Sequence, residues 1–178
     1  MHLRGAADWF TTINGVVYLT VLALPVAVLL LWVLARRRQA VGEHRSTAWK
    51  IALADVGMVY GTVPWVWMTM LPGSRAGEVP GRVSLVPFRD LVHMDVVQIA
   101  GNLFVLFALG CFAPLRWKAM ASLPRILALG AGCSLLIEVA QYVLRLDRVS
   151  SVDDVLVNAV GAVLGALVSR HWWRSRRA

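Results

Sequence analysis

Five apolar stretches dominate this chain, and each is about long enough to cross a lipid bilayer. A transmembrane helix needs about 20 mostly apolar residues. The 178 residues are 58% hydrophobic and only 16% charged, which is more apolar surface than a soluble domain of this size can bury. The sequence therefore predicts an all-α, polytopic transmembrane helix bundle that forms one membrane domain, residues 1–178. The predicted spans are residues 16–35, 51–71, 96–115, 126–144 and 152–169.

Clusters of Lys and Arg between these stretches predict the orientation of the chain. Twelve of the eighteen fall within residues 36–50, 116–125 and 170–177. Basic residues in short loops favour the cytoplasmic side, so we expect the N-terminus outside, the C-terminus inside and a multi-pass protein of the cell membrane. The net charge of +8 is interpreted as topology anchoring, and no nucleic-acid partner is expected.

The longest connection, residues 72–95, lies on the outer side in this topology. Its first part is rich in Gly and Pro, and its second part is apolar around Leu85 to Phe88. We expect the second part to dip into the membrane interface or to cover the helix bundle.

Polar side chains interrupt three of the predicted spans. A carboxylate within a span costs about 2.5–3.5 kcal/mol on insertion scales, so a chain that keeps one is expected to use it. Spacings of three and four residues place the polar groups of each span on one helix face, and the predicted topology places the three faces at one depth in the outer half of the membrane. The faces comprise Gln98 and Asn102; Ser134, Glu138 and Gln141; and Asp154, Asn158, Gly161 and Gly165.

Glu138 is the most deeply placed carboxylate in this pattern. A charge in hydrocarbon must be neutralised, paired or hydrated, and Arg148 in the following loop is its expected counter-charge. Asp153 and Asp154 begin the last span, where the helix dipole favours negative charge. The cluster is interpreted either as a pocket facing the outer leaflet or as a polar knot that fixes helix register. Amide groups can complete its hydrogen bonding: Asn102, Gln141 and Asn158.

Two pairs of glycines have the GxxxG spacing that lets helices approach closely. Gly57 and Gly61 lie on the second span, and Gly161 and Gly165 lie on the fifth. The spacing is consistent with close packing within the bundle or with helix dimerisation, so an oligomer stays open.

The ordered combination of these motifs resembles the VanZ-like family over residues 84–168. The matching upstream features are Pro87-Phe88-Arg89 and Asn102-Leu103-Phe104 with Gly110. The family often has Pro just before that Gly, where this chain has Leu109, which implies a straighter third span. The matching features of the last two spans are Glu138, Gln141, Arg148, Asp154, Asn158 and Gly161.

This resemblance implies a bacterial multi-pass protein that acts at the cell envelope. The founding member of the family is associated with resistance to teicoplanin, a glycopeptide that carries a lipid tail and acts at the outer membrane face. The resemblance does not supply a reaction. We therefore expect a protein that binds an amphiphile at the outer leaflet, such as a lipopeptide or glycopeptide antibiotic, a glycolipid or a lipid-linked wall precursor.

Two other functions stay open. An intramembrane enzyme acting on an envelope lipid would use Glu138 as general acid or base and Asp154 as the second carboxylate, but no activated nucleophile is visible. A transporter is the third hypothesis. We expect no cofactor, with a divalent cation at the carboxylates as the alternative. The predicted ligand-binding residues are Phe88, Arg89, Gln98, Asn102, Glu138, Gln141, Arg148, Asp153, Asp154 and Asn158.

Overall fold

The computed structural model describes residues 12–174 and is nearly all-α, which confirms the predicted fold class. Two short 3-10 turns, Leu91–His93 and Lys118–Met120, separate some of the helices. The only strands in the described part are β1 (Arg82–Ser84) and β2 (Val149–Ser151), which pair in parallel. The helices are α1 (Ile13–Ala40), α2 (Arg45–Thr69), α3 (Val96–Val105), α4 (Phe107–Arg116), α5 (Leu123–Val143), α6 (Val152–Val168) and α7 (Arg170–Arg174).

Side-chain caps set the starts of three helices. Thr12 accepts a hydrogen bond from the backbone N–H of Gly15 at 3.1 Å and begins α1. Asp95 accepts from the N–H of Gln98 at 2.7 Å and begins α3. Ser151 accepts from the N–H of Asp153 at 3.2 Å and begins α6. These caps satisfy amide groups that have no partner within the helix.

Four segments of the described chain are long and apolar enough to cross a membrane. They are α1, α2, the combined Val96–Arg116 segment and α5. Helix α6, with 17 residues, coincides with the predicted fifth span but is short for a bilayer. The count of five spans and the orientation of the termini therefore stay predictions. Two of the residues that supported that orientation, Arg176 and Arg177, lie outside the described part.

The third predicted span is not continuous, in contrast to the straighter helix that we expected. Helix α3 ends at Val105 and α4 begins at Phe107, with Leu106 between them at φ −116° and ψ 8°. No Pro or Gly stands at the break. Leu106 is buried in the core with Val105 and Ala162, so tertiary packing against α6 is the physical reason for this interruption.

Helix α6 lies at the centre of the bundle and packs on α3, α4 and α5. Its glycines make this possible, because a Cβ on Gly161 would overlap the carbonyl oxygen of Leu103 and one on Gly165 would overlap that of Phe107. On α2, Gly57 packs against the ring of Phe112 and Gly61 against Ala108. All four glycines thus contact other helices of the same chain.

An ion-pair network ties together three helices at the end of the bundle remote from the polar cluster. Asp55 on α2 accepts from Arg38 of α1 at 2.9 Å and from Arg116 of α4 at 2.6 Å. Arg38 also lies 3.5 Å from Glu43. Asp55 is therefore paired with two cations.

Candidate functional site

A polar cavity of about 400 Å³ opens beside the first turns of α6. It brings together residues from α3, α5, α6 and the loop that joins α5 to β2. Seven of the predicted ligand-binding residues line it: Gln98, Asn102, Glu138, Gln141, Arg148, Asp154 and Asn158. The other lining residues are Thr69, Arg82, Ile137, Asp147 and Val149.

Glu138 is buried and accepts a hydrogen bond from backbone rather than from a cation. Its Oε2 accepts from the N–H of Ser151 at 3.0 Å, and its own carbonyl accepts from the hydroxyl of Ser150 at 2.9 Å. These contacts fasten β2 to α5. A buried carboxylate that accepts an amide hydrogen bond is stabilised without an ion pair.

Arg148 does not form the predicted ion pair with Glu138. Its Nε donates to the carbonyl of Leu71 at 3.2 Å, and the described residues hold no ion pair between the two side chains. The reason is that the Ser151 amide occupies Glu138, while the turn after α2 holds the exposed Arg148 at the rim of the cavity. Arg148 therefore lies on the same cavity as Glu138 without touching it, and its role as the counter-charge stays a prediction.

Asn102, Asp154 and Asn158 connect α3, α5 and α6 inside the cavity. The side-chain amide of Asn102 donates to Asp154, and that of Asn158 donates to Ser134 at 2.8 Å. The Oδ1 of Asn158 is buried and has no hydrogen-bond partner within the described part of the chain. An acceptor left in this way carries a desolvation cost, so it is available to a donor from a ligand or from water.

Gln141 also lines the cavity and joins α5 to the end of α2. Its Nε2 donates to the carbonyl of Thr69 at 2.9 Å. Thr69 was not among the predicted site residues, because it ends an apolar span and contributes to the contact through its backbone. Only the folded position of the end of α2 beside Gln141 could have revealed it.

Asp153 folds the connecting loop instead of lining the polar cavity. It is 1% exposed, and its two oxygens accept from the backbone N–H groups of Phe88 at 2.6 Å, Asp90 at 2.9 Å and Leu91 at 3.0 Å. All of its contacts are thus with backbone, which makes it a positioning residue for the loop.

A second polar cavity, of about 420 Å³, lies next to the first. Gln98, Val149 and Asp154 line both cavities, and Arg89 lines the second. Phe88 presents a side chain that is 63% exposed. The remaining walls of the second cavity are Asp90, His93, Met94 and Ser151.

Asp90 and Ser151 are coupled by a short hydrogen bond in this second cavity. The Ser151 hydroxyl donates to Asp90 Oδ2 at 2.6 Å. This hydrogen bond, with a smaller contribution from the nearby Ser84 hydroxyl, holds the pKa of Asp90 below its ordinary value, because both stabilise the ionised carboxylate. Asp90 and Ser151 were not predicted site residues, since neither interrupts a predicted span.

An apolar cavity of about 430 Å³ lies on the other side of Glu138. Glu138 lines both this cavity and the first polar cavity, so the two voids share a wall. Most of the other walls are aliphatic or aromatic: Val83, Leu85, Ala131, Gly132, Leu135, Val139, Tyr142, Val152 and Val155, with Ser150 and Ser151 completing the lining.

No group of three or more His, Cys, Asp or Glu side chains with metal-binding spacing occurs within residues 12–174. Glu138 and Asp154 line the same cavity, but each already accepts a hydrogen bond from the protein. A cation at this pair would need further ligands from amide oxygens or from water.

The comparison with protein families found one match that covers about two thirds of the chain. The VanZ/LLP1 family matches residues 58–174, which run from the second half of α2 to α7 and include the three cavities. Helix α1 lies outside the matched region. No curated protein and no solved structure matched the chain. The family match confirms the resemblance that the motifs indicated: the chain belongs to the VanZ/LLP1 family.

Proposed function

We propose that this protein is a multi-pass protein of the cell membrane that binds an amphiphile at the outer leaflet. The observation that carries the proposal is the position of Glu138, which separates a polar cavity from an apolar one. A molecule with a polar head and a hydrocarbon tail can fill both voids at once. Each cavity is within the size range of small-molecule sites.

The polar cavity suits a head group with hydrogen-bonding groups inside and an anionic group at the rim. Arg148 stands at the rim, and its terminal guanidinium nitrogens make no hydrogen bond to residues 12–174. A guanidinium fork recognises carboxylate or phosphate well. Deeper in the cavity, the unpartnered Oδ1 of Asn158 can accept from a hydroxyl or amide group.

The apolar cavity suits an acyl or polyprenyl chain. Leu135, Val139 and Tyr142 form part of its wall and are at least 46% exposed on a helix that is apolar enough to span the membrane. The cavity therefore faces the region that lipid tails occupy, so a tail can be shared between protein and bilayer.

Membership of the VanZ/LLP1 family supports teicoplanin-type glycopeptides as one ligand class and glycopeptide resistance as the resulting phenotype. Teicoplanin combines a polar peptide core with an acyl tail, so its tail suits the apolar cavity and part of its polar core can contact the polar one. Lipid-linked wall precursors share the same division into head and tail. The predicted orientation puts the cavities at the outer face, where both kinds of molecule are found.

A binding experiment with a cavity-filling variant tests the proposal. Gly132 lines the apolar cavity, and a Cβ added there meets nothing within 4 Å, so Gly132→Phe directs a ring toward the cavity from an unobstructed Cβ. Gly101→Phe is the matched control, since Gly101 also has open space around it and lines none of the three cavities.

The protein in lipid nanodiscs is titrated with teicoplanin and with its acyl-free core. We expect Gly132→Phe to weaken teicoplanin binding by at least about tenfold, or about 1.4 kcal/mol, and Gly101→Phe to leave it unchanged. The acyl-free core should bind weakly and should not respond to Gly132→Phe. Equal teicoplanin affinity in both variants and wild type would contradict a tail in this cavity.

A second candidate function is an intramembrane enzyme that acts on an envelope lipid. It is favoured by one observation, the presence of Glu138 and Asp154 on the walls of the same cavity, where one carboxylate could act as general acid or base. Incubation of purified protein with radiolabelled envelope lipids tests it. Turnover that is lost in Asp154→Asn would support catalysis, and inactivity across a broad lipid panel would leave binding as the function.

A further inference from the structure

Two non-helical segments lie beside α5, below the end of that helix. Strand β2 is fixed to Glu138 by the Ser151 amide and the Ser150 hydroxyl, and β1 pairs with β2 through the register Val83 with Ser150 and Ser84 with Ser151. Glu138 stands five residues before the end of α5 at Val143. At 1.5 Å per residue, the strand pair lies about 7.5 Å below the end of that helix.

Backbone at this depth must find hydrogen-bond partners within the protein, because hydrocarbon offers none. Pairing with β2 satisfies one side of β1. The loop that follows β1 is satisfied by Asp153, which accepts from the amides of Phe88, Asp90 and Leu91. Glu138 accepts from the amide of Ser151. Two buried carboxylates thus supply the acceptors that water would supply at a surface.

Several side chains of the same loop are apolar and exposed, whereas Arg89 and Asp90 line the second polar cavity. Leu85 is 76% exposed, Phe88 is 63% exposed and Val92 is 79% exposed. Phe88 has φ +66°, a left-handed conformation that is unfavourable for an aromatic residue. The hydrogen bond that its backbone N–H donates to Asp153 holds that conformation. The ring is thereby presented outward, at the cost of local backbone strain.

The exposed loop is continuous with the membrane-facing surface of the helices. Val83 and Leu85 line the apolar cavity together with Leu135 and Val139 of α5, and both α5 side chains are at least 50% exposed. The loop joins α2 to α3, so both of its ends are tied to candidate spans. Hydrocarbon is the partner that matches this surface, because it already surrounds α5.

We propose that residues 83–88 form a re-entrant segment, immersed in the leaflet that contains Glu138, whose exposed apolar side chains contact lipid acyl chains, while Arg89 and Asp90 face the second polar cavity. The segment forms one wall of the apolar cavity and so borders a lateral opening from the bilayer. The immersion does not depend on the proposed ligand, because the depth, the backbone satisfaction and the exposed side chains are properties of the protein alone.

Site-directed nitroxide labels in proteoliposomes test the immersion. The native Cys111 and Cys133 are replaced by Ala, and single labels are placed at Leu85, Phe88 and Glu78. Glu78 is the matched control, because it is exposed in the same connection but lies before β1 in a turn. Collision rates with oxygen, which concentrates in hydrocarbon, and with a water-soluble nickel chelate are then compared.

We expect oxygen to exceed the nickel chelate at 85 and 88, and the reverse at 78. Nickel access at 85 and 88 equal to that at 78 would overturn the proposal. Low access to both reagents, with dipolar broadening between labels, would also overturn it and would show that a second copy of the chain covers the segment. Labels at these exposed positions do not disturb the core, so a folding defect does not obscure the result.

Discussion

At the scale of single residues, two acidic side chains that interrupt or begin apolar helices serve mainly as acceptors for backbone. Asp153 takes three amide hydrogen bonds, and Glu138 takes one while it also lines two cavities. An amide left without an acceptor inside a protein costs about 1–3 kcal/mol. This provides a physical reason for keeping carboxylates where a simple bundle would place aliphatic residues.

The positions of the acidic residues in the sequence could not show which carboxylate lines a cavity and which one only accepts hydrogen bonds from backbone. The sequence predicted that Glu138, Gln141, Asp154 and Asn158 would meet, and the structure places them on one cavity. It could not predict that Asp153 would turn toward the Phe88 loop, because successive residues on a helix start point in different directions. Likewise, the partner of Arg148 is a backbone carbonyl. Every residue has one, so the sequence cannot identify which carbonyl it will be.

Asp153→Asn should destabilise the protein by about 1–3 kcal/mol, because a carboxamide has one acceptor oxygen for three amide donors and leaves at least one of them unsatisfied. Thermal unfolding in detergent provides the measurement. Asp95→Asn is the control, since that carboxylate accepts one amide at an exposed helix start, where Asn caps about as well as Asp. Equal unfolding temperatures for the two variants would show that the loop does not depend on Asp153.

Ser151→Ala should raise the pKa of Asp90 toward its ordinary value, because the Ser151 hydroxyl is the largest cause of the lowered pKa. The direction in which pH changes the stability follows from the linkage between folding and proton binding at Asp90. With its folded-state pKa below the unfolded value, Asp90 stabilises the fold above the unfolded pKa and loses this contribution as pH falls through the folded pKa. Carboxyl ¹³C NMR titration of labelled Asp measures the midpoint.

Ser151→Thr keeps a hydroxyl that can both donate to Asp90 and cap α6, so it should retain the low midpoint. An unchanged midpoint in Ser151→Ala would mean that the other causes, led by the nearby Ser84 hydroxyl, hold the pKa down without Ser151.

At the scale of elements, the approach of α6 to α3 and α4 determines where the cavities form. Gly161 and Gly165 face backbone carbonyls of the neighbouring helices, with no room for a methyl group. The GxxxG spacing in the sequence indicated a close approach of this kind but not which helix would provide the partner. The break at Leu106 was not predictable, because it arises from packing on α6 rather than from a helix-breaking residue.

Gly161→Ala should destabilise the bundle by about 1–3 kcal/mol or more, because the added methyl group overlaps the Leu103 carbonyl and forces the helices apart. Gly101→Ala is the matched control on α3, where a Cβ meets nothing within 4 Å and alanine favours the helix. Denaturation in mild detergent compares the two variants. Unchanged stability of Gly161→Ala would indicate that α6 can move away from α3 without a loss of stability.

At the scale of the whole molecule, the structure divides into two ends with different chemistry. One end has Asp55 paired with Arg38 and Arg116, and the other has the two polar cavities and the apolar cavity. The basic loops predict that the Asp55 end is cytoplasmic, which places the cavities where envelope amphiphiles are found. The sequence predicted the all-α class and the clustering, whereas β1, β2 and the loop fold required long-range pairing that no local pattern encodes.

The predicted orientation has its own test in the intact membrane. Single cysteines at exposed Arg45 and Glu78, in a background without Cys111 and Cys133, should differ in their reaction with a membrane-impermeant maleimide. We expect Glu78→Cys to react in intact cells and Arg45→Cys to react only after lysis. The reverse pattern would place the cavities on the cytoplasmic side and would exclude an outer-leaflet ligand.

The most direct test of the central claim is the tolerance conferred by a variant that lacks both cavity carboxylates. Glu138→Ala with Asp154→Ala is expressed in a strain whose teicoplanin tolerance depends on this protein, with membrane levels and unfolding temperature matched to wild type. We expect tolerance to fall to that of the strain without the protein, while the Gly101→Ala control keeps full tolerance. Unchanged tolerance in the double variant at normal membrane levels would contradict the amphiphile site.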